Sequence, residues 1–475
     1  MSSLKDNPVV LGKDISLEPS PLKSPTASSP RVLVVGGGVT GLVTSWVLLD
    51  RGYHVTIVSK EWASHTKAQR LTSQIAGALW EYPPAVCGHH KDAISLHRSK
   101  RWSMVTYNIM AGVAADPKLS ELSGVRMKPS IFFFCHPIED DGIQLDKMMD
   151  IQKTDIQGFR RDISLVQEHD LDPNYGVVDA YEHLAPIVDT DQAMTWLMGV
   201  VQSKGARLLT ETIDRDLFEC EEELRTRFGA DIIVNATGLG SYDVAGDKTS
   251  YPIRGGLIRV MNDGKDFPKV TEALAIPADS VHGSDEIVFI VPRNDNILLI
   301  GGISEAHENQ LDLTLESPII KRMRARCEAF MPDLKKARLD PDYPLAQGLR
   351  PFRTKNVRVE RELRKKDSPF AAPSRIIHSY GHGGAGWSLS FGCAGDVAAL
   401  VEESLKDLPP KPMAAALIRP TFSETAATQT PEEWATVGIK LLWISVLGQS
   451  SQWVSRMKMR VTSSINMLLK IRQTK

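Results

Sequence analysis

Residues 31–41 read RVLVVGGGVTG, and Gly36, Gly38 and Gly41 fall in the spacing G-x-G-x-x-G. The apolar run Val32–Val35 precedes the glycines, and LVTSWVLLDRG follows them. This pattern fits a buried parallel strand that turns sharply into a helix whose first amides face a pyrophosphate. Gly36 permits the tight turn, Gly38 lets the backbone approach phosphate, and Gly41 permits close helix–strand packing. A helix is expected over Leu42–Leu49, ended by Arg51-Gly52, and a second, β-branched strand over Val55–Val58. The cofactor-facing residues of this opening are Gly36, Gly37, Gly38, Val39, Thr40 and Gly41. The second strand should end in a carboxylate for ribose hydroxyls. Here it ends Ser59-Lys60-Glu61, with Glu61 two places past the strand, while Lys60 would favour a phosphate-bearing ribose. The turn alone therefore leaves FAD, NAD and NADP open.

The chain has 475 residues, enough for two or three domains, and a net charge of -2 gives no footprint for nucleic acid. Five cysteines, at 87, 135, 220, 327 and 393, have neither zinc nor disulfide spacing, which suits reduced thiols in an intracellular, cytoplasmic protein. Residues 1–30 are polar, without the apolar core of a signal peptide, and the Ser- and Pro-rich stretch in them is expected to be a disordered leader. The last residues, Gln-Thr-Lys, do not form the S-K-L peroxisomal address. Residues 421–475 stand apart: from Trp434 onward there are seven basic residues and no acidic one. The plain reading of this tail is an amphipathic helix packed on the domain; the sharper one is a helix on a membrane surface.

The same α/β grammar returns later. Asp189–Gln202 has helical periodicity, and Ala230–Val234 reads as a buried strand ending in Asn-Ala-Thr-Gly. Ile376-Ile377 leads through YGHGGAGWS, residues 380–388, into another helix, where Cys393 lies on an apolar face. Alternating segments such as Glu286–Pro292 and Ile297–Gly302 lie between. The expected architecture is a Rossmann-type FAD-binding domain (31–80, 189–250 and 346–410) interleaved with an α+β substrate domain (81–188 and 251–345) on a mostly antiparallel sheet. A cleft is expected where they meet.

Other stretches choose the dinucleotide. RLTSQIAGALW (70–80), DIIVNATGLG (231–240), GLRPFR (348–353) with Val357-Arg358-Val359-Glu360 behind it, and HSYGHGGAG (378–386) occur in order with the first glycine turn. Together they resemble the D-amino-acid oxidase and D-aspartate oxidase family, flavoproteins of the glycine oxidase type. The resemblance implies non-covalent FAD. It implies pyrophosphate contacts at Gly36–Gly41 and adenosine contacts at Lys60, Glu61 and Ile213. It implies hydroxyl contacts at Thr72 and Ser73, flavin-flanking backbone at Gly77, Ala78 and Leu79, and a further contact at Thr237. It also implies a loop along the flavin pyrimidine edge at Gly383, Gly384, Ala385, Gly386, Trp387 and Ser388. A helix N-terminus there would stabilise the negative charge of reduced flavin, which makes Gly384 a catalytic backbone position. The arginine matched to the substrate carboxylate is Arg353, whose planar fork suits a carboxylate better than lysine does.

The sequence departs from the family on the substrate side. Phe289 and Asp285 stand where tyrosines are usual, Gly256 stands where glutamine often does, and Glu81 stands where a neutral amide is common. An apolar ring with acids near it points to a bulkier or more cationic substrate, such as a modified amino acid or a specialised-metabolism intermediate. The expected activity is oxidation of a C–N bond, hydride passing to flavin and dioxygen giving hydrogen peroxide, with no strong base needed if the amine binds neutral. The rival readings are a flavin dehydrogenase using an electron carrier, a binding protein without turnover, and a nicotinamide dehydrogenase. No metal is expected: His378 and His382 flank a glycine turn, and His89-His90 has no partner at ligand spacing. The expected partners are an amine or amino-acid substrate and O2, with membrane contact through the tail and a homodimer left open.

Overall fold

The apolar run after Arg31 forms β1 (Arg31–Val35), and only Arg31 in it is exposed. The computed structural model describes residues 9–84, 93–278, 287–366 and 372–413. The further strands are β2 (His54–Ser59), β3 (Val125–Phe134), β4 (Arg160–Arg161), β5 (Asp179–Val188), β6 (Arg207–Thr210), β7 (Ile232–Asn235) and β8 (Ser250–Met261). They continue with β9 (Ala273–Ile276), β10 (Val288–Pro292), β11 (Ile297–Gly301), β12 (Glu305–Ala306), β13 (Leu345–Arg353), β14 (Arg358–Arg361) and β15 (Ile376–Tyr380).

A six-stranded sheet runs in the order β14-β15-β7-β1-β2-β6. All its neighbours are parallel except β14 with β15. Helix Val39–Asp50 connects β1 to β2, and helix Gly386–Leu405 follows β15. Both pack on the sheet with helix Thr190–Ser203 in one core, where Trp46 meets Trp196 and Phe391 edge to face. Cys393 lies inside this core, as its helical spacing suggests. Helix Ala93–Ala115, which was not singled out in the sequence, crosses the last helix so closely that a Cβ on Gly392 would lie 2.3 Å from the backbone of Trp102.

The second sheet runs β12-β8-β11-β10-β9-β3-β5-β4, with β13 paired along β8. It is antiparallel apart from β3 with β9, and helix Pro318–Phe330 covers one face. The interleaved α/β architecture is therefore as read, with one boundary moved. GLRPFR, assigned above to the FAD-binding domain, lies on β13 and belongs to the second sheet. Its partner is β8, in the register Gly348↔Gly255 and Arg350↔Ile253.

The leader is also corrected. From Val9 onward it is ordered, and Val9 and Ile15 are buried. The cause is Asp50 at the end of the first helix. Its carboxylate accepts the N–H groups of Ser16 (2.7 Å) and Leu22 (2.9 Å), the Trp46 indole (3.0 Å) and the Lys204 ammonium (2.8 Å). Composition showed the polar leader but not this buried acceptor. Among the described residues no helix is long and apolar enough to cross a membrane. The basic tail, 421–475, lies outside the described residues.

Candidate active site

The glycine turn at the end of β1 is set by sterics. Gly36 has φ +117°, and a Cβ there would fall 2.3 Å from the carbonyl oxygen of Ala236 at the end of β7. A Cβ on Gly41 would fall 1.9 Å from the carbonyl oxygen of Gly36. Only bare backbone allows β1, β7 and the helix start to close this tightly. The result is a helix N-terminus behind a side-chain-free turn, the cradle a dinucleotide pyrophosphate needs.

Three distant segments converge on this cradle, and Ser73 ties them together. Its hydroxyl accepts the Val39 N–H at 3.1 Å, and its carbonyl accepts the Trp387 indole at 2.9 Å. The Ser388 hydroxyl accepts the Glu81 N–H at 3.4 Å. Thr72 donates to the Leu349 carbonyl at 3.2 Å. Gly77–Trp80 is held against the end of β5 by Trp80 N–H to the Pro186 carbonyl (2.9 Å) and Val188 N–H to the Ala78 carbonyl (3.1 Å). The buried guanidinium of Arg293 supports the same segment, donating to the carbonyls of Gln74 (2.7 Å), Ala76 (3.0 Å) and Val188 (3.2 Å).

Thr237 caps β7 through Asn235, whose side-chain oxygen accepts its N–H (3.1 Å) and hydroxyl (2.8 Å). Ile213 packs partly buried beside Val35 and Val58. Lys60 and Glu61 are exposed and pair with each other at 3.6 Å. Two residues of this region escaped the sequence reading. The Ser59 hydroxyl accepts the Gly37 N–H at 3.1 Å, and the Trp62 ring lies over Gly37. A hydroxyl and an indole just past the second strand were the available signal.

The substrate side sorts its charges differently from the sequence reading. Arg353 is not open to a ligand carboxylate. Its guanidinium holds Asp247 through Nε and Nη2, both at 2.8 Å, and donates to the Asn356 carbonyl. Burial pushes the Asp247 carboxyl up, but bonds from Thr249 and Tyr380 and the charge of Arg353 prevail and bring it to about 2. Arg350, three residues earlier, has no carboxylate partner among the described residues; it donates to the Ile303 carbonyl at 3.1 Å. On β13, Gly348 packs against Ile75 and Phe352 lies under Gly383, so Arg350 stands between them on the face that meets both flavin segments. The sequence signal was present, since GLRPFR offers both arginines, but only the position of Asp247 separates them.

Phe289 lies against Gly77, with Ile75 and Leu257 completing an apolar wall. Gly256, opposite Gln347 on β13, faces Ile303 and Ile320. Glu81 is not a lone acid, because its carboxylate is paired with the buried ammonium of Lys147. Asp285 lies outside the described residues. His378 is fully buried, between Asn235 and Glu362, at 3.2 Å from each. Burial lowers the His382 imidazole to about 4, which keeps it neutral beside Gly383.

A parallel sheet with a glycine cradle, joined to a second, mostly antiparallel sheet, defines a dinucleotide-binding oxidoreductase. More specifically, the chain belongs to the family of FAD dependent oxidoreductases, whose model matches residues 31–400. FAD is its cofactor, and the fit rests on the tight, side-chain-free turn into a helix N-terminus that only glycine at 36 and 41 allows. The chain is 30% identical to a D-amino-acid oxidase of Rubrobacter xylanophilus over 375 residues, 79% of this chain and 97% of that protein. It is 26% identical to a human D-aspartate oxidase over 80% of this chain and 96% of that one. Among solved structures, a glycine oxidase from Bacillus cereus shares the fold with a TM-score of 0.56 at 18% identity, covering 81% of this chain and 99% of its own.

Proposed function

We propose that the chain oxidises the Cα–N bond of a D-amino acid with a bulky or modified apolar side chain, giving the imino acid while dioxygen is reduced to hydrogen peroxide. FAD, when bound, supplies the two-electron acceptor for this reaction. The observation that carries the reading is Arg350, a guanidinium without a carboxylate partner among the described residues, on the face between Ile75 and Gly383. Its fork would take the substrate carboxylate in two parallel bonds and so fix the orientation of Cα. The wall of Ile75, Leu257 and Phe289 then receives the side chain and offers it no hydroxyl. The amides at the start of helix Gly386–Leu405 favour negative charge where it develops. The similarity to D-amino-acid oxidases supports the reaction class.

Anaerobic mixing of the purified holoenzyme with D-phenylalanine, D-methionine and simple amines tests this. The expected result is bleaching of the flavin bands by the amino acids and, on admission of air, one peroxide per imino acid formed. Bleaching without peroxide, together with reduction of an added electron carrier, would indicate a dehydrogenase. No bleaching by any D-amino acid or amine would overturn the proposal.

A further inference from the structure

Gln74 lies in the short helix Thr72–Ile75 and is 1% exposed. It separates two residues of the site. Ser73, before it, holds the Val39 N–H and the Trp387 indole, and Ile75, after it, packs against Gly348 of β13. Both the backbone and the side chain of Gln74 are held. Its carbonyl accepts the Thr190 hydroxyl at 2.6 Å and the Arg293 guanidinium at 2.7 Å. Its side chain folds back on the loop after β2. There Oε1 accepts the Ser64 N–H at 3.1 Å, and Nε2 donates to the Ser64 carbonyl and to Asp191 Oδ1, each at 2.9 Å. Two acceptors facing Nε2 and one donor facing Oε1 fix the direction of the amide, and a carboxylate of the same shape would lack the donors.

Asp191 follows Thr190 in the first turn of helix Thr190–Ser203, where a carboxylate is favoured. Its other oxygen, Oδ2, accepts Arg70 at 2.8 Å and Arg259 of β8 at 3.4 Å. Arg70 also lies over the Tyr343 ring, 4.1 Å from its centre, and Arg259 donates to Asp340 at 2.8 Å. Two guanidinium groups and two carboxylates therefore balance in this cluster, and all four side chains are buried or nearly so. The cluster ties a helix of the first sheet and a strand of the second to the segment that carries Ser73 and Gly77–Leu79. Gln74 is the point where that tie reaches the segment between Ser73 and Ile75.

We infer that Gln74 is a positioning residue for the flavin: its amide, keyed to the Asp191 carboxylate, holds Ser73 against the glycine cradle and so sets how tightly, and in what surroundings, FAD is gripped. The inference rests on FAD as the cofactor and not on the proposed substrate. A wild type that oxidises no amino acid leaves it standing.

The test compares holoenzymes of the wild type, Gln74→Glu, Asp191→Asn and the double variant. Two readouts are used: release of FAD on dilution, followed as a rise in flavin fluorescence, and the visible circular dichroism of the bound flavin. Gln74→Glu keeps the shape but turns an oxygen toward two acceptors, so it should weaken FAD binding by roughly tenfold and change the dichroism. Asp191→Asn should act in the same direction. The double variant restores a donor between the two residues at unchanged total charge, and should hold FAD more tightly than Gln74→Glu alone. Asp50→Ala, which removes a buried charge pairing at the other end of the cradle helix, is the control for general loss of stability and should keep the wild-type dichroism. If Gln74→Glu does not fold, Asp191→Asn carries the test through the same two readouts. Wild-type release and dichroism in the variants overturn the inference. So does a double variant no tighter than Gln74→Glu, or the same change of dichroism in Asp50→Ala.

Discussion

At Gly36–Gly41 the site is made of backbone, and at Gly36 and Gly41 a side chain is excluded because a Cβ would strike a carbonyl oxygen at 2.3 Å or less. On β13 and around Glu81 it is made of side-chain charges, and each charge is defined by its partner. Arg353 belongs to Asp247, Glu81 to Lys147, and Arg350 to no carboxylate among the described residues. The cofactor half of the site therefore depends on short-range sterics, while the substrate half depends on pairings between residues 66 to 106 positions apart. A single methyl group should break the first half. The second half should respond in steps, according to which partner is left alone.

The largest effect is expected from Gly41→Val. Its Cβ cannot coexist with the Gly36 carbonyl, and more than about 4 kcal/mol of native-state strain is expected. The purified variant should be colourless and should take up no FAD in a titration. Next is Asp50→Ala, which leaves the fully buried Lys204 ammonium without its carboxylate and with only the Ser20 carbonyl, at 3.1 Å. A loss of about 3–5 kcal/mol in denaturant unfolding is expected, with release of the leader to proteolysis. This variant extends the comparison to a charge pairing far from the flavin.

The most gradual effect is the acid side of the stability profile. His183 and His382 titrate near 4 in the folded protein, against about 6.5 when unfolded. Between those values the unfolded chain binds more protons, so stability is lost as pH falls from about 6.5 toward 4, by about 1.4 kcal/mol per pH unit for each histidine. Asp247 adds a separate loss below the ordinary aspartate range, as pH falls toward its folded value of about 2. Melting curves from pH 8 to 4 in wild type and His382→Asn should show the acid slope reduced in the variant.

The contrast between the two halves also explains what the sequence made legible. The βαβ opening needs only local features, a Val-rich run, glycines at fixed spacing and a β-branched strand, and it formed within a few residues of the expected boundaries. The strands expected at Glu286–Pro292 and Ile297–Gly302 likewise appear at Val288–Pro292 and Ile297–Gly301. The leader was misread because Ser and Pro content does not reveal Asp50, a buried acceptor at a helix end. Residues 346–353 were grouped with the FAD-binding segments because the pairing of β13 with β8 is a long-range fact. Arg353 was named through the resemblance alone, and no spacing on β13 reveals that Asp247 occupies its guanidinium.

The central claim is that Arg350, and not Arg353, receives the substrate carboxylate. It is tested most directly by the anaerobic rate of flavin reduction with D-phenylalanine against 2-phenylethylamine, the same amine without the carboxylate. Wild type should favour the amino acid by about 100-fold, the worth of one pair of charged hydrogen bonds. Arg350→Met should bring the two rates close together, and Arg353→Met should keep the preference while lowering the melting temperature. A preference that survives in Arg350→Met and disappears in Arg353→Met would contradict the assignment.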